Sequence, residues 1–423
     1  PVRVAVGRDV RLSSPALAEA LARGLSEGGV EVLELGLCGT EEVYFATFHY
    51  RLDGGIMVTA SHNPADYNGM KLVCAEARPL HGDFGLPQLR ELVAGGDFPA
   101  PTARAAQRRS LAFRDDYIEH LLSYIDLSRL NPLKVVVNAG NGCAGPVLDL
   151  LERRLPFTFI KLLNEPDGTF PQGIPNPLLP ENRSLTSQAV IRAGADIGLA
   201  WDGDFDRCFF FDETGRFLEG YYLVGLLAQL RLRQHPGAKI IYDPRLTWNT
   251  IDLVGKSRGE AVVSRTGHAF IKERMRELDA LYGGEMSAHH YFREFSYCDS
   301  GMIPWLLVLE LLSRSGRRLS ELVDERIRLY PVSGEINCSP ADPAAAIARV
   351  EKYFREREKV LRSFCIDGLT LEFADWRFNL RSSNTESLLR LNVESRGNQA
   401  LLEERTATIL ALLREEKGPV GES

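Results

Sequence analysis

Short apolar runs alternate with helix-like stretches from the first residues onward, and this constrains the chain more than any other feature. Residues 2–7 ("VRVAVG") read as a strand. A helix follows with Ser14 as N-cap and Pro15 at its first position, then a strand over 30–35 and the strand-like "GGIMVT". Such alternation dictates a parallel α/β sheet.

The polar, Pro/Ala/Arg-rich stretch 95–110 reads as a linker. A second unit begins with a helix over 113–125 and the strand "LKVVVNAGNGCAG", and closes with "DIGLAW", the loop "DGDFDR" and "CFFF". The third holds "AKIIYD", a helix near 248–256, "EAVVS", a helix over 267–278 and "ALYGGEMSAHHYF". The last hundred residues pair strands close in sequence ("VSGEINC", "GLTLEF", "WRFNL", "LLRLNVES") with a helix over 343–356 and a terminal helix, predicting a smaller α+β domain. At 423 residues the chain exceeds what one core supports, and length alone suggests about three domains.

With 44% hydrophobic and 25% charged residues the composition is that of a soluble globular protein. A net charge of -7 without a Lys/Arg block offers no obvious nucleic-acid or anionic-membrane partner. The longest apolar runs, "YYLVGLLAQL" and "MIPWLLVLELL", are too short for a membrane span and read as buried helices. Seven widely spaced cysteines without a C-x-x-C pair fit a reducing cytoplasm. The abrupt strand-like opening suggests that upstream residues precede it in the full protein.

One polar, chemically dense loop recurs after a strand in each unit. "DGDFDR" sets Asp202, Asp204 and Asp206 at alternate positions, where three carboxylates can hold a hard cation. A solvated acidic turn is the alternative. An EF-hand fails, because Arg207 stands where its glycine belongs and the flanks read as strands. Magnesium suits a few carboxylates plus phosphate oxygens. "RSSNTES" offers Arg381, Ser382, Ser383, Asn384 and Thr385 as a phosphate grip, or simply as a polar hairpin. "GEMSAHHYF" supplies Glu285, Ser287 and His289 for sugar hydroxyls and proton transfer, while His290, beside Tyr291 and Phe292, reads as a packed histidine. Arg265 and His268 precede a helix whose N-terminus favours anions, or form an ordinary helix start. Arg8 and Arg11 follow a strand end, where α/β sheets place their sites. Ser61, in "VTASHNPADYNGMKL", lacks a G-x-S-x-G setting, and alone it reads more readily as a turn serine than as a nucleophile.

In order, "TASHNP", "DGDFDR", "TGH", "GEMSAHH" and "RSSNTE" resemble the α-D-phosphohexomutase superfamily, most closely its bacterial phosphomannomutase/phosphoglucomutase branch, across essentially the whole chain. The resemblance implies four domains around a central cleft: three similar mixed α/β domains and a smaller C-terminal α+β, TATA-box-like domain. Their expected spans are 1–112 (phosphoserine), 113–214 (metal), 215–328 (sugar) and 329–423 (phosphate). It implies that Ser61 is the phosphoserine and, with Asp202, Asp204 and Asp206, a Mg²⁺ ligand. His62, Lys71, Arg207 and His289 would be catalytic, with Lys71 and His289 the candidates for proton transfer. Arg11, Arg265, His268, Glu285, Ser287, Arg381, Ser383, Asn384 and Thr385 would bind substrate.

The implied reaction exchanges mannose or glucose 1-phosphate with the 6-phosphate, with a hexose 1,6-bisphosphate as activator and intermediate, for nucleotide-sugar synthesis. A monomer is expected, with a dimer as the alternative. Three departures stand out. The family's upstream "AYDIRG"-like segment is absent, Arg265 replaces a common lysine, and Ser387 replaces the proline of "NTEP". A phosphatase using the same serine and a catalytically silent sugar-phosphate-binding protein are the competing readings.

Overall fold

The first 110 residues build a sheet in the strand order Met70–Cys74, Gly54–Val58, Arg3–Arg8, Glu31–Leu37, Arg108–Ser110. All neighbours are parallel except Gly54–Val58 with Met70–Cys74, which run antiparallel. The computed structural model describes residues 2–82, 85–96, 98, 100–102, 105–382 and 388–414. These fall into two compact units, Pro1–Gly220 with His268–Ser320, and Tyr221–Gly267 with Glu321–Ser423.

Within the first unit a second sheet repeats the plan. Its order is Phe217–Leu218, Cys208–Phe211, Ile197–Trp201, Lys134–Asn138, Thr158–Leu162. Lys134–Asn138 pairs in parallel with both its neighbours, and Ile197–Trp201 turns back antiparallel onto Cys208–Phe211. A third antiparallel set joins Tyr282–Gly284, His290–Phe292 and Cys298–Asp299. The sheets are therefore mixed rather than purely parallel. Each of the three contains an antiparallel hairpin whose loop, 59–69, 202–207 or 285–289, carries one of the polar clusters.

Helix Ile303–Ser315 shows how the apolar runs are used. Pro304 sits in its first turn, residues 303–313 are all buried, and Gly316 ends it at φ 63°, its N–H reaching Leu312 O. The run at 221–230 likewise lies in the buried helix Gly220–Gln234.

Two expectations shift. Helix Ser14–Glu27 begins on Ser14, so Ser13 is the capping residue, and the Ser14 hydroxyl donates to Asp9 Oδ1 (2.5 Å) instead of to the helix. The stretch expected as linker ends in a strand, because Arg108 and Arg109 pair with Glu34 and Glu31 and draw Arg108–Ser110 onto the sheet edge.

In the second unit, Lys239–Tyr242 pairs in parallel with Glu260–Val263. The C-terminal part is an antiparallel sheet in the order Val332–Cys338, Leu389–Ser395, Trp376–Ser382, Leu369–Glu372, Arg362–Phe364. Helices Pro343–Arg357 and Gln399–Arg414 pack with it around Phe354, Leu371, Phe378, Leu391 and Ile409. The short edge strand Arg362–Phe364 is too polar to stand out in the sequence.

Candidate active site

Ser61 follows the strand Gly54–Val58 and takes a left-handed backbone (φ 49°), uncommon for a residue with a Cβ. Its N–H donates to Thr59 Oγ1 (2.9 Å), and its hydroxyl to Asp202 Oδ2 (2.9 Å). Residues 141 apart in sequence thus meet at hydrogen-bond distance.

The acidic loop follows the fully buried strand Ile197–Trp201 and bends through a second left-handed residue, Phe205 (φ 45°). The Phe205 ring lies against Gly39, where any Cβ would stand 2.1 Å from it. Asp202, Asp204 and Asp206 are all buried, with one oxygen of each lying within 4.8 Å of the others.

The cations come from two directions. Arg207 clamps Asp202 through Nε (2.9 Å) and Nη2 (2.8 Å). Lys71, on the strand that returns from the Ser61 loop, donates to Asp204 Oδ2 (2.7 Å) and Asp206 Oδ2 (2.6 Å). Two buried oxygens, Asp204 Oδ1 and Asp206 Oδ1, have no hydrogen-bond partner. That donor set fits a hard divalent cation bound by a few carboxylate oxygens.

The electrostatics sort the proton carriers. Burial works against the Lys71 charge, but Asp204 and Asp206 outweigh it and hold the ammonium firmly protonated. Burial raises the Asp204 carboxyl, yet Lys71 overcomes this and holds it well below the usual range. Asp202 and Asp206 are pushed up, chiefly by burial. The Arg207 guanidinium beside His62, with burial, lowers that imidazole to about 3, so His62 is neutral and accepts a hydrogen bond from Arg207 Nη2 on Nδ1. Burial also lowers His268, to about 3, and His289 well below its usual value. His289 stands 3.8 Å from Asp206 Oδ1 and 3.5 Å from Glu285 Oε2. It is neutral beside the acidic loop.

The first unit therefore brings together Ser61, His62, Lys71, the three aspartates, Arg207, Glu285 and His289. Ser287 lies in the same loop as Glu285, and His268 opens helix His268–Leu278. His290 is a packed histidine, buried and hydrogen-bonded through Nδ1 to the Tyr282 hydroxyl (2.7 Å). In the second unit Arg265 follows strand Glu260–Val263, and Arg381, on strand Trp376–Ser382, pairs with Glu335 (3.0 Å). Ser383, Asn384, Thr385 and Ser387 lie outside the described residues.

Arg11 is a correction. Expected at the substrate, it is 0% exposed beneath the Ser61 loop. Its Nη atoms donate to the carbonyls of Ser61, Asn63, Pro64 and Tyr67, and its buried Nε lies 3.3 Å from Asp9 Oδ2, so the guanidinium is committed to the loop above it.

Sequence reasoning missed several supports. Thr40 donates its hydroxyl to Asp204 Oδ2 (2.5 Å) and its N–H to Asp204 O (3.0 Å). Thr59 adds a longer hydroxyl bond to the same carboxylate (3.3 Å). Glu41, fully buried, accepts from Tyr117, Ser300, Gly301 and Met302, and Trp201 donates to Gly301 O (2.9 Å). Asp299 pairs with the buried Lys272 (2.6 Å) and lies 3.9 Å from His289. These contacts join residues up to 261 positions apart, and no local sequence signal announces them.

Four family models match in series: phosphoglucomutase/phosphomannomutase alpha/beta/alpha domain I over residues 2–98, domain II over 115–215, domain III over 219–330 and the C-terminal domain over 335–412. A phosphomannomutase of Salmonella typhimurium is 62% identical over 422 residues, covering 98% of this chain and 92% of the relative. Phosphohexose mutases of Xanthomonas campestris are 60% identical over 411 residues (97% and 91%). The crystal structure of a phosphoglucomutase/phosphomannomutase family protein from Burkholderia thailandensis superposes with a TM-score of 0.86 at 32% identity, covering 97% of this chain and 89% of the other. With four family domains in order and a hydroxyl set against an acidic loop, the chain belongs to the bacterial phosphoglucomutase/phosphomannomutase branch of the α-D-phosphohexomutase superfamily.

Proposed function

We propose that this phosphohexomutase moves phosphate reversibly between O1 and O6 of mannose or glucose phosphates through phospho-Ser61 and a hexose 1,6-bisphosphate. The Ser61 hydroxyl 2.9 Å from Asp202, at the edge of a buried three-carboxylate cluster, carries this reading. A serine so placed has little reason to sit against carboxylates unless it bears an anion that shares a cation with them.

Asp202, Asp204, Asp206 and the phosphate on Ser61 would hold Mg²⁺, which supplies neutralisation of the phosphoryl charge. The chain's own groups do the rest. The free hydroxyl of a hexose monophosphate attacks the phosphorus of phospho-Ser61. A new P–O ester forms, the bond to Ser61 Oγ breaks, and the hydroxyl proton passes to neutral His289. The bisphosphate turns over, Ser61 Oγ takes the other phosphoryl group, and the proton returns to the sugar oxygen released. Lys71 and Arg207 stay charged and stabilise the transferring oxygens. Neutral His62 is a hydrogen-bond partner rather than a base.

Both orientations must bind, so Glu285 and Ser287 hold the 3- and 4-hydroxyls, and carbon 2, where glucose and mannose differ, is left unread. Arg381, Ser383, Asn384 and Thr385 hold the remote phosphate, and Arg265 and His268 are further substrate-binding residues. The domains run 1–112, 113–214, 215–328 and 329–423, near the spans of the four family models. The protein acts in the cytoplasm on hexose phosphates, with a monomer as the expected state and a dimer as the alternative.

Phosphorus NMR of the full-length protein with Mg²⁺, a trace of glucose 1,6-bisphosphate and each hexose 1-phosphate in turn tests the scheme. Both 1-phosphates should convert, and Ser61→Ala should abolish conversion. Net release of inorganic phosphate without isomerised sugar would make the protein a phosphatase. A wild-type Ser61 that takes no phosphate would make it a binding protein.

A further inference from the structure

We infer that Arg11 is a positioning residue that fixes the left-handed conformation of Ser61, and with it the direction of the nucleophile; the inference rests on the proposed role of Ser61. Arg11 follows strand Arg3–Arg8, parallel neighbour of the strand that leads into the Ser61 loop. The loop carbonyls curl over its side chain. Nη2 donates to Ser61 O (2.8 Å) and Asn63 O (2.7 Å), and Nη1 to Pro64 O (2.5 Å) and Tyr67 O (3.0 Å).

One rigid planar fork thus fixes four carbonyl directions within seven residues. A lysine cannot copy this, since its ammonium is a compact charge with three donors. The guanidinium is itself held. Nε lies 3.3 Å from Asp9 Oδ2, Asp9 Oδ1 accepts the Arg11 N–H (3.0 Å), and Phe170 covers the cation at 5.7 Å. Asn68 pins the far end of the loop, donating to Ser13 Oγ (2.8 Å) and Ser14 Oγ (2.9 Å).

Arg11 acts on Ser61 through its backbone. A left-handed residue with a Cβ persists only where its surroundings over-determine it. Here the Ser61 N–H is tied to Thr59 and its carbonyl to Arg11, so both flanking peptides are fixed and the hydroxyl falls 2.9 Å from Asp202. Released from Arg11, the peptide would relax toward the right-handed region and swing the hydroxyl away from the acidic loop.

The test uses the full-length protein in saturating Mg²⁺, with Arg11→Lys and the milder, isosteric Asp9→Asn. Two quantities are read: the rate at which glucose 1,6-bisphosphate phosphorylates Ser61, and hydrogen exchange in peptides spanning 59–70. Arg11→Lys should slow phosphorylation and kcat about 100-fold, the cost of misplacing a reacting group by roughly 1 Å, with KM for the hexose 1-phosphate little changed. Asp9→Asn should shift both readouts the same way by a smaller factor. Faster exchange should be confined to 59–70, which a general loss of stability would not produce. If Arg11→Lys fails to fold, Asp9→Asn decides. Raised KM at unchanged kcat would make Arg11 a substrate contact and overturn the inference, as would wild-type exchange and phosphorylation in the variants. A wild-type protein that Ser61 phosphorylation bypasses would sink the functional reading instead, and the exchange data would still decide the role of Arg11.

Discussion

Gly203→Ala is the perturbation whose outcome the packing constrains most tightly. A Cβ at Gly203 would stand 2.6 Å from Ser61 O, a backbone atom, where real Cβ contacts essentially never fall below 3.0 Å and ordinary contact begins near 3.4 Å. The two loops must therefore part by about 0.4 to 0.8 Å, the gap between those distances. Gly203 cannot retreat. Its carbonyl accepts from the Cys143 N–H (3.0 Å), and Gly142 packs so close that its own Cβ would lie 2.7 Å from Gly203 O. The displacement falls instead on Ser61, whose hydroxyl then loses its 2.9 Å register with Asp202.

A shift approaching 1 Å at a reacting group costs on the order of 100-fold in rate, whereas overpacking one methyl group costs about 1–3 kcal/mol of stability. Gly203→Ala should therefore fold, with a modestly lowered melting temperature, and lose between about 10- and 100-fold in kcat by a coupled hexose 6-phosphate assay. Gly142→Ala, pressing on Gly203 from the other side, should behave similarly. Activity within about threefold of wild type in a folded Gly203→Ala protein would show that the loop contact does not set the position of Ser61, the proposed nucleophile.

His120 packs among Phe45, Phe48, Tyr124 and Phe295, and burial, with the nearby His49, lowers its imidazole to about 4. The unfolded chain takes up this proton below about 6.5 and the folded one only near 4, so the stabilisation is present above pH 6.5 and is lost as pH falls toward 4, by about 3 kcal/mol in all. Unfolding followed from pH 7 to pH 4 should show a shallower decline for His120→Phe, and parallel curves would refute the assignment. In the second unit Glu394 is buried against Arg377 (2.6 Å) and accepts from the Tyr221 hydroxyl and the Thr247 N–H (2.5 and 2.7 Å). Glu394→Gln leaves the Arg377 charge under-compensated and should destabilise that unit by about 3 kcal/mol in urea unfolding; a loss under about 1 kcal/mol would refute this.

The sequence reveals the elements and the loops for different physical reasons. Strands such as 54–58 and 197–201 are short apolar runs because they are buried, and runs of that kind read well without coordinates. Whether a following strand turns back is less legible. Met70–Cys74 and Cys208–Phe211 reverse direction, and with them come the hairpins that hold Ser61 and the aspartates, yet composition scarcely separates a parallel from an antiparallel neighbour. Arg11 misled for a related reason. An arginine just after a strand end faces either the site or the loops behind it, and only the curl of residues 61–67 decides. Thr40 reads as an ordinary residue at the start of a helix, and its tie to Asp204, 164 residues away, exists only in the folded chain.

The charges of the acidic loop explain why fold and site cannot be separated here. Two unit charges 4 Å apart interact by about 4 kcal/mol at an effective dielectric of 20, so three buried carboxylates within 4.8 Å oppose folding unless cations meet them. Arg207 comes from the same loop and answers Asp202, while Lys71 comes from the serine hairpin and answers Asp204 and Asp206. The pairing that relieves the repulsion is thus also what draws the serine hairpin onto the acidic loop. Three anions against two cations leave the cluster with about one excess negative charge. A phosphate on Ser61 adds about 1.5 to 2 more. A divalent cation offsets most of that sum, so phosphoserine and metal should each strengthen the other's hold on the cluster. Lys71 lies at the centre of this balance. In the proposed mechanism its two short carboxylate bonds would keep its charge through both half-reactions, and the proton would then travel through a group outside the pairing, such as His289.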